Sequence, residues 1–282
     1  MVLRVVEIIR LTRAVNCLLA AVGVWIGAYL TWLAPAYYGP MVASLAAAFV
    51  CAAGNIVNDM VDVEIDRINR PSRVLVRGTI SMKTARNMAI ALNLIAVVLS
   101  LVVSLPVAMM ALVAIALLLV YNLWLKKVPV VGNIAVALLA GLTFLTGGLA
   151  VDPALAFRLP GPLIPFVFAF FMHLVREIVK DVQDIEGDRR AGVVTFPQVI
   201  GVSGSLLVAL GLLLTLAVLT YVPIFEGWFG RTYEIITVYL VDLPLLALMI
   251  FVWGNPNRLM LAIGSAGLKA GMLLGLIALV LA

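Results

Sequence analysis

The stretch "MAIALNLIAVVLSLVVSLPVAMMALVAIALLLVYNLWL", from Met88 to Leu125, contains no charged side chain. As a single α-helix it would be about 57 Å long, whereas the apolar core of a bilayer is only about 30 Å thick. The stretch therefore predicts two membrane-spanning helices, with the turn between them at Pro106.

The same interpretation extends to the whole chain, in which 65% of the 282 residues are apolar and only 12% are charged. A soluble domain carries about 25% charged residues, so the composition excludes a soluble enzyme. We predict an all-α, polytopic membrane helical bundle with nine transmembrane helices. The spans are Ala14–Leu33, Pro40–Val61, Met88–Leu105, Pro106–Leu125, Val130–Val151, Leu163–Val179, Val202–Val222, Tyr233–Trp253 and Leu259–Leu281.

The basic residues give the orientation, because cytoplasmic loops of membrane proteins are rich in lysine and arginine. With nine spans, only Arg158 and Arg231 fall on the side opposite the N-terminus. The side of the N-terminus holds Arg4, Arg10, Arg13, Arg67, Arg70, Arg73, Arg77, Lys83, Arg86, Lys126, Lys127, Arg189, Arg190 and Arg258. We therefore expect a multi-pass protein of the cell membrane with these residues in the cytoplasm, and the net charge of +5 is not a nucleic-acid signal.

An internal repeat closes the second and sixth spans. "DMVDVEIDR" (Asp59–Arg67) and "DVQDIEGDR" (Asp181–Arg189) agree at five of nine positions, four of them acidic. Four spans separate the copies, so both face the same side, and the copies are parallel rather than inverted. We interpret residues 1–282 as a single transmembrane domain, with repeat halves of about 1–125 and 126–282, whose acids can converge on one site.

Each acidic segment forms a stripe if it is helical. Asn58, Asp62 and Asp66 advance by only about 40° at each step around a helix. Asp181, Asp184 and Asp188 cluster in the same way, and such like charges repel unless a cation holds them. Carboxylates without histidine or thiolate favour Mg²⁺, whose shell substrate phosphates complete. The predicted metal ligands are Asn58, Asp62, Asp66, Asp181, Asp184 and Asp188.

Basic side chains next to these acids indicate that the bound anion is a diphosphate. A diphosphate at the mouth of an apolar bundle implies a prenyl diphosphate, whose tail lies among the helices. Mg²⁺ and the basic residues would stabilise the departing diphosphate, and a nucleophile would capture the allylic cation. A cation-coupled transporter is the alternative from another class, although the adjacent arginines would repel its cation. The predicted diphosphate-binding residues are Arg67, Arg70, Arg73, Lys126, Lys180 and Arg189.

With these motifs the sequence resembles the UbiA superfamily of intramembrane prenyltransferases. Asn58, Asp62 and Asp66 match its first motif, N-x-x-x-D-x-x-x-D, and Asp184 and Asp188 match its second, D-x-x-x-D. The resemblance implies that Asp62, Asp66, Asp184 and Asp188 are catalytic. It covers nearly the whole chain and includes the nine-span layout.

Two further segments refine the resemblance. "YNLWLKK" (Tyr121–Lys127) looks like the tyrosine–lysine segment of the family, which implies that Tyr121 and Lys126 bind substrate. "REIVKDVQDIEGDRRAGVVTFPQVIG" (Arg176–Gly201) looks most like the archaeal digeranylgeranylglyceryl phosphate synthases. These transfer a geranylgeranyl group from geranylgeranyl diphosphate to geranylgeranylglyceryl phosphate as an ether. Prenylation of an aromatic acceptor, of the homogentisate, 4-hydroxybenzoate or naphthoate type, and chlorophyll-type esterification are the alternatives.

A lipid-phosphate acceptor would need a second basic pocket besides the diphosphate site. Arg13 is assigned to substrate binding, and the candidates for the acceptor phosphate are Arg10, Arg13, Arg73, Arg77 and Arg176. The remaining expected partners are membrane lipids, with no nucleic acid and no obligate protein partner.

Several polar residues inside the spans are interpreted as structural. His173 is expected to be a hydrogen-bonded packing residue, and Cys17 and Cys51 are expected to pack without binding metal. Asp242 and Lys269 are costly in hydrocarbon, and we expect them to pair with each other; the alternative is that they line the active cavity.

Overall fold

The computed structural model describes residues 2–31, 37–190 and 192–282. Within these residues all regular secondary structure is helical, and no strand is present. No water is available in hydrocarbon to bond backbone N–H and C=O groups, so an apolar chain satisfies them within its own helices. The predicted all-α architecture is therefore confirmed for the described residues.

The chain divides into two compact units. The first comprises Met1–Leu125 and Leu142–Leu163, and the second comprises Lys126–Gly141 and Ile164–Ala282. The helices up to the middle of the chain are α1 (Val2–Thr12), α2 (Ala14–Tyr29), α3 (Tyr38–Val61), α4 (Val63–Asn69), α5 (Met82–Val103), α6 (Leu105–Leu123) and α7 (Val131–Val151). The later helices are α8 (Leu163–Arg190), α9 (Phe196–Ile200), α10 (Val202–Phe225), α11 (Arg231–Glu234), α12 (Leu243–Gly254) and α13 (Arg258–Val280). The predicted division into halves near residue 125 stays a prediction.

Seven helical segments of the described chain are long and apolar enough to cross a bilayer. They are α3, α5, α6, α7, α10, α13 and the continuous segment Arg231–Gly254. The α2 helix is apolar but has only 16 residues, and α8 becomes highly charged after its apolar first half. The composition and these segments indicate a multi-pass membrane protein. The count of nine spans, which includes α2 and α8, stays a prediction.

Serine caps define the two helices of the opening stretch. Ser81 precedes α5, and its Oγ accepts a hydrogen bond from the backbone N–H of Thr84 at 3.1 Å. Ser104 separates α5 from α6 in an extended conformation, and its Oγ accepts from the N–H of Val107 at 3.4 Å. Pro106 lies in the first turn of α6, where its missing N–H costs nothing. The turn that the sequence predicts at this proline is confirmed.

In the first unit, glycines allow α2 and α7 to touch through their backbones. A Cβ added at Gly27 would lie 1.9 Å from the carbonyl oxygen of Phe144, and one at Gly147 would lie 1.9 Å from that of Val24. Small residues permit this close approach, which gives van der Waals contact where hydrocarbon supplies little hydrophobic driving force. The crossing of α2 and α7 therefore depends on these glycines.

In the second unit, a buried polar network surrounds Asp242, at the end of a π-helical segment (Ile235–Asp242). Thr220 Oγ1 donates to Asp242 Oδ2 at 2.7 Å, and Tyr233 Oη donates to the carbonyl of Thr220 at 3.1 Å. Lys269 is exposed, and it makes no ion pair with the described residues. The expectation that Asp242 pairs with Lys269 is therefore wrong, since a hydroxyl satisfies this acid.

Candidate active site

The first acidic segment lies where the helix of the second predicted span ends. The α3 helix stops at Val61, and Asp62 stands between α3 and α4 with φ −90° and ψ 3°. The backbone N–H of Asp62 still bonds to the carbonyl of Asn58 at 3.0 Å, and that of Asp66 bonds to the carbonyl of Asp62 at 2.8 Å. The prediction of one unbroken helical stripe is corrected to two helices that meet at Asp62, with the four-residue spacing retained.

Three oxygen-bearing side chains follow one another along this break. Asn58 Nδ2 donates to Asp62 Oδ2, which orients the amide oxygen of Asn58 and the second carboxylate oxygen of Asp62. Asp66 is buried, and burial raises the pKa of its carboxyl, while the nearby charge of Arg73 lowers it and that of Asp59 raises it. The first segment therefore holds crowded carboxylates that a cation would stabilise.

Asp59 is the most deeply buried acid of the first segment. Its side chain is 2% exposed. Arg13 Nη2 donates to Asp59 Oδ1 at 2.6 Å, and Arg73 Nη1 donates to both oxygens of Asp59 at 3.1 and 3.2 Å. The sequence assigned Asp59 no role, although the internal repeat aligns it with Asp181, which was assigned.

The second acidic segment is continuous with its helix, because α8 runs to Arg190. Asn133 of α7 donates through Nδ2 to Asp181 Oδ2 at 2.8 Å. Burial raises the pKa of Asp181 to about 6. The pKa of Asp188 is also raised to about 6, first by burial and then by the charge of Asp184. Asn133 was missed from the sequence, where its only signal is an amide in an otherwise apolar run.

Most of the predicted basic residues already contact acids. Arg67 pairs with Glu64 at 2.8 Å in solvent. Glu177 accepts from Arg176 at 2.6 Å and from Lys180 at 3.3 Å. These pairs fix the positions of the basic groups.

The other residues that the sequence assigns to substrate binding lie near the helix ends where they were predicted. Arg70 follows the first acidic segment by three residues, Arg189 is the last residue of the second, and both are exposed. Tyr121 lies in the last turn of α6, and Lys126 lies half-buried in a short 3₁₀ turn that follows it. His173 shares a hydrogen bond between Nδ1 and the carbonyl of Ala169 at 2.9 Å, as expected of a packing residue.

The N-terminal helix carries its own ion cluster. Glu7 accepts from Arg77 at 2.6 Å and from Arg10 at 3.3 Å, and Thr79 Oγ1 donates to it at 3.3 Å. The Arg77 guanidinium is the main cause that holds the pKa of Glu7 below its ordinary value. This cluster ties α1 to the segment that follows α4.

The donor set fits a hard divalent cation. Across residues 2–31, 37–190 and 192–282, no three His, Cys, Asp or Glu side chains form a ready-made metal group. Mg²⁺ does not need one, since it usually takes one or two protein carboxylates together with substrate phosphates and water. The carboxylates with raised pKa values at Asp66, Asp181 and Asp188 are the kind of ligand that such a cation stabilises.

Comparison with a family model agrees with these motifs. The model of the UbiA prenyltransferase family matches residues 14–262. The chain belongs to the UbiA prenyltransferase family. The family resemblance predicted from the two acidic motifs is thereby confirmed.

Individual members of the UbiA family extend the match to nearly the full length. The digeranylgeranylglyceryl phosphate synthase of Methanopyrus kandleri is 36% identical over 273 residues, which is 96% of each chain. A solved structure concerned with digeranylgeranylglyceryl phosphate synthase in membranes has a TM-score of 0.80 and 31% identity, covering 98% of this chain and 97% of the other. A UbiA homologue from Archaeoglobus fulgidus, solved bound to GPP and Mg²⁺, shares the fold with a TM-score of 0.68 and 22% identity over 97% of this chain and 99% of its own.

Proposed function

We propose that this UbiA-family protein is an Mg²⁺-dependent prenyltransferase that makes an ether lipid precursor. It transfers the geranylgeranyl group of geranylgeranyl diphosphate to the free hydroxyl of geranylgeranylglyceryl phosphate and releases diphosphate. The observation that carries the proposal is the match over 96% of both chains to a digeranylgeranylglyceryl phosphate synthase. The acidic motifs support it, because they supply the ligands that such a reaction requires.

The prenyl donor is held by its diphosphate. Asn58, Asp62 and Asp66 of the first motif, with Asp181, Asp184 and Asp188 of the second, are proposed to hold Mg²⁺. Bound there, the metal supplies positive charge that stabilises the departing diphosphate. Asn58 holds Asp62 by a hydrogen bond, and Asn133 holds Asp181, so one carboxylate of each motif is oriented before substrate arrives.

The negative charge of the diphosphate that Mg²⁺ does not neutralise is proposed to be stabilised by hydrogen-bond donors outside the two acidic motifs. Tyr121 contributes a hydroxyl near the end of α6. The basic residues proposed for this role are Arg67, Arg70, Lys126, Lys180 and Arg189. As the donor's bond between carbon and diphosphate oxygen breaks, the acceptor hydroxyl oxygen forms the new ether bond and releases its proton. The apolar helices keep water from the allylic cation, which explains why the motifs end spans of a membrane protein.

We further propose that nine spans cross the bilayer and that both motifs face the cytoplasm. The proposal is supported by the basic residues, which lie almost entirely on the side of the motifs when nine spans are assumed. The seven long apolar helices supply most of these spans. A cytoplasmic site suits a water-soluble diphosphate head group on a membrane-bound tail.

The proposal is tested with purified protein in detergent, geranylgeranyl diphosphate, Mg²⁺ and one acceptor at a time. Geranylgeranylglyceryl phosphate is expected to give an ether product, whereas homogentisate and 4-hydroxybenzoate are expected to give none. Turnover of a phenolic acceptor in place of the lipid phosphate would contradict the proposed acceptor.

Variants of the motif acids test the metal assignment. Asp62→Asn and Asp184→Asn are expected to lose at least about 100-fold in kcat, because removing interactions with transition-state charge costs about 3 kcal/mol or more. Glu64→Gln and Glu186→Gln are matched controls two residues further along each motif, where both acids are exposed and each pairs with an exposed arginine of the described residues. Near-normal kcat in either aspartate variant would show that the metal ligands are wrongly assigned.

A further inference from the structure

One buried carboxylate lies between two arginines in the first unit, and we name Asp59, Arg13 and Arg73 the Asp59 cluster. We propose that Asp59 is a positioning residue that presents Arg13 and Arg73 to the phosphate of the acceptor. The inference rests on the proposed function, because it names the part of the site that recognises the lipid-phosphate acceptor. It distinguishes Arg13 and Arg73 from Arg10, Arg77 and Arg176, the other candidates for binding the acceptor phosphate.

Burial distinguishes the Asp59 cluster from the ion cluster at Glu7. Arg13 and Arg73 have side chains 29% and 21% exposed, around a carboxylate that is 2% exposed. Two guanidinium groups therefore hydrogen-bond to one carboxylate, and the next acid, Asp66, lies 4.0 Å from Arg73 Nε, so the positive charge that remains unmatched is on the side of Arg13. A buried excess of positive charge is costly and favours a second anion.

The corresponding excess at Glu7 is solvated. Glu7 also contacts two arginines, but Arg10 is 61% exposed and Arg77 is 38% exposed. Water already screens these charges, so no further anion is needed there. Arg176 is a different case, because its partner Glu177 is adjacent in sequence and on the same helix.

An unpaired hydrogen-bond donor of Arg13 is independent evidence for a ligand at the Asp59 cluster. Arg13 Nε is buried and has no hydrogen-bond partner within the described part of the chain, although Nη2 of the same guanidinium bonds to Asp59. Buried N–H groups are rarely left unpaired. Phosphate oxygens are the acceptors that suit an arginine fork, because they take charge-assisted hydrogen bonds from several of its N–H groups.

The backbone at Arg13 is held in a shape that directs its side chain at Asp59. Arg13 adopts φ 52° and ψ 61°, a left-handed conformation that is unfavourable for a residue with a Cβ. Asn55 Nδ2 donates to the carbonyl of Thr12 at 2.9 Å, and Leu11 is fully buried. Asn55 and Asp59 are four residues apart on α3, so one face of this helix fixes both the backbone and the side chain of the turn.

The position of the turn adds to the preference for an anion. Arg13 directly precedes α2, and no side chain caps the first N–H groups of that helix. The N-terminus of a helix carries a partial positive charge and binds anions. Arg73 Nε lies 4.0 Å from Asp66 Oδ2, so the Asp59 cluster borders the first metal motif. A phosphate bound there would place the acceptor next to the prenyl donor.

Steady-state kinetics with two acceptors test the proposal. Arg13→Gln and Arg73→Gln are expected to raise the KM for geranylgeranylglyceryl phosphate by about 10- to 150-fold, the effect of losing a charge-assisted hydrogen bond. In Arg13→Gln the KM for geranylgeranyl diphosphate and the Mg²⁺ concentration for half-maximal rate are expected to change less than about twofold, because Arg13 bonds to Asp59 and not to a proposed metal ligand. Arg86→Gln, an exposed arginine of α5, is the matched control and should behave as wild type.

The phosphate-free acceptor geranylgeranylglycerol separates phosphate recognition from a general loss of structure. The preference of wild type for the phosphorylated acceptor is expected to fall about 10- to 150-fold in both arginine variants and in Asp59→Asn. Should Asp59→Asn fail to fold, the two arginine variants still decide the question. If wild type does not prenylate the lipid phosphate, the proposed function fails. If wild type does so and the preference survives in Arg13→Gln and Arg73→Gln, this inference alone is overturned and the Asp59 cluster only braces the fold.

Discussion

Alanine at position 27 is predicted to drive α2 and α7 apart. The new Cβ would lie 1.9 Å from the Phe144 carbonyl oxygen, whereas Cβ atoms essentially never come closer to a neighbour than 3.0 Å. The helices must therefore separate by roughly 1 Å, because the obstacle is backbone and cannot rotate away. We expect a loss of at least about 3 kcal/mol in unfolding free energy, the upper end of measured overpacking costs. This corresponds to a Tm lower by roughly 6 to 12 °C.

Cys17 and Cys51 make this separation measurable. Both are free thiols, they are the only cysteines of the chain, and they lie in α2 and α3 of the first unit. A thiol-reactive fluorophore that reports their exposure during heating in detergent gives the Tm of that unit. Gly211→Ala is the matched control, because a Cβ there has no neighbour within 4 Å and alanine favours a helix. A Tm for Gly27→Ala within about 2 °C of that control would refute the close contact of α2 with α7.

Two further predictions concern buried and surface polar contacts. Thr220→Val is expected to lower the unfolding free energy by about 1–3 kcal/mol, because Asp242 loses a buried donor, while Thr220→Ser keeps it. Equal Tm values for the two variants would contradict the network. Because Arg77 holds the pKa of Glu7 below its ordinary 4.5, this ion cluster stabilises the fold above about pH 4.5 and is lost as the pH falls below it. The Tm of wild type should therefore fall more steeply than that of Glu7→Gln between about pH 5 and pH 3, and parallel Tm curves would show that Glu7 contributes nothing.

The sequence predicts this fold well where the determining forces are local. Apolar runs mark the helices, and the end of the second predicted span, Val61, coincides with the end of α3. Ser104 and Pro106 mark the turn between α5 and α6 because capping and the missing proline N–H act within one turn of chain. The two acidic motifs are equally visible, since four-residue spacing of acids shows directly in the sequence.

Contacts between distant residues were not predictable in the same way. The partners of Asp59 are 46 and 14 residues away, so no periodicity connects them. The left-handed turn at Arg13 likewise lies next to a distant contact, the hydrogen bond from Asn55 of α3 to the carbonyl of Thr12. The prediction that Asp242 pairs with Lys269 was wrong for a related reason. Charge complementarity suggested Lys269, but the π-helical segment before Asp242 and the hydroxyl of Thr220 decide which group is near. The break between α3 and α4 at Asp62 was also not predictable from the sequence. The four-residue hydrogen bonds continue across it, so the acids keep the spacing of an unbroken helix.

The contacts of the N-terminal helix have a consequence for how the protein is made. Glu7 bonds to Arg77 and Thr79, which follow it by 70 and 72 residues, and Thr12 is held by Asn55. At a synthesis rate of about 5–20 residues per second, Arg77 and Thr79 are made roughly 4 to 14 seconds after Glu7, and Asn55 is made roughly 2 to 9 seconds after Thr12. During that interval α1 has exposed Val5, Ile8 and Ile9 with which to rest on the bilayer surface. The α1 helix is thus fixed only after α2, α3 and the segment that follows α4 have been synthesised.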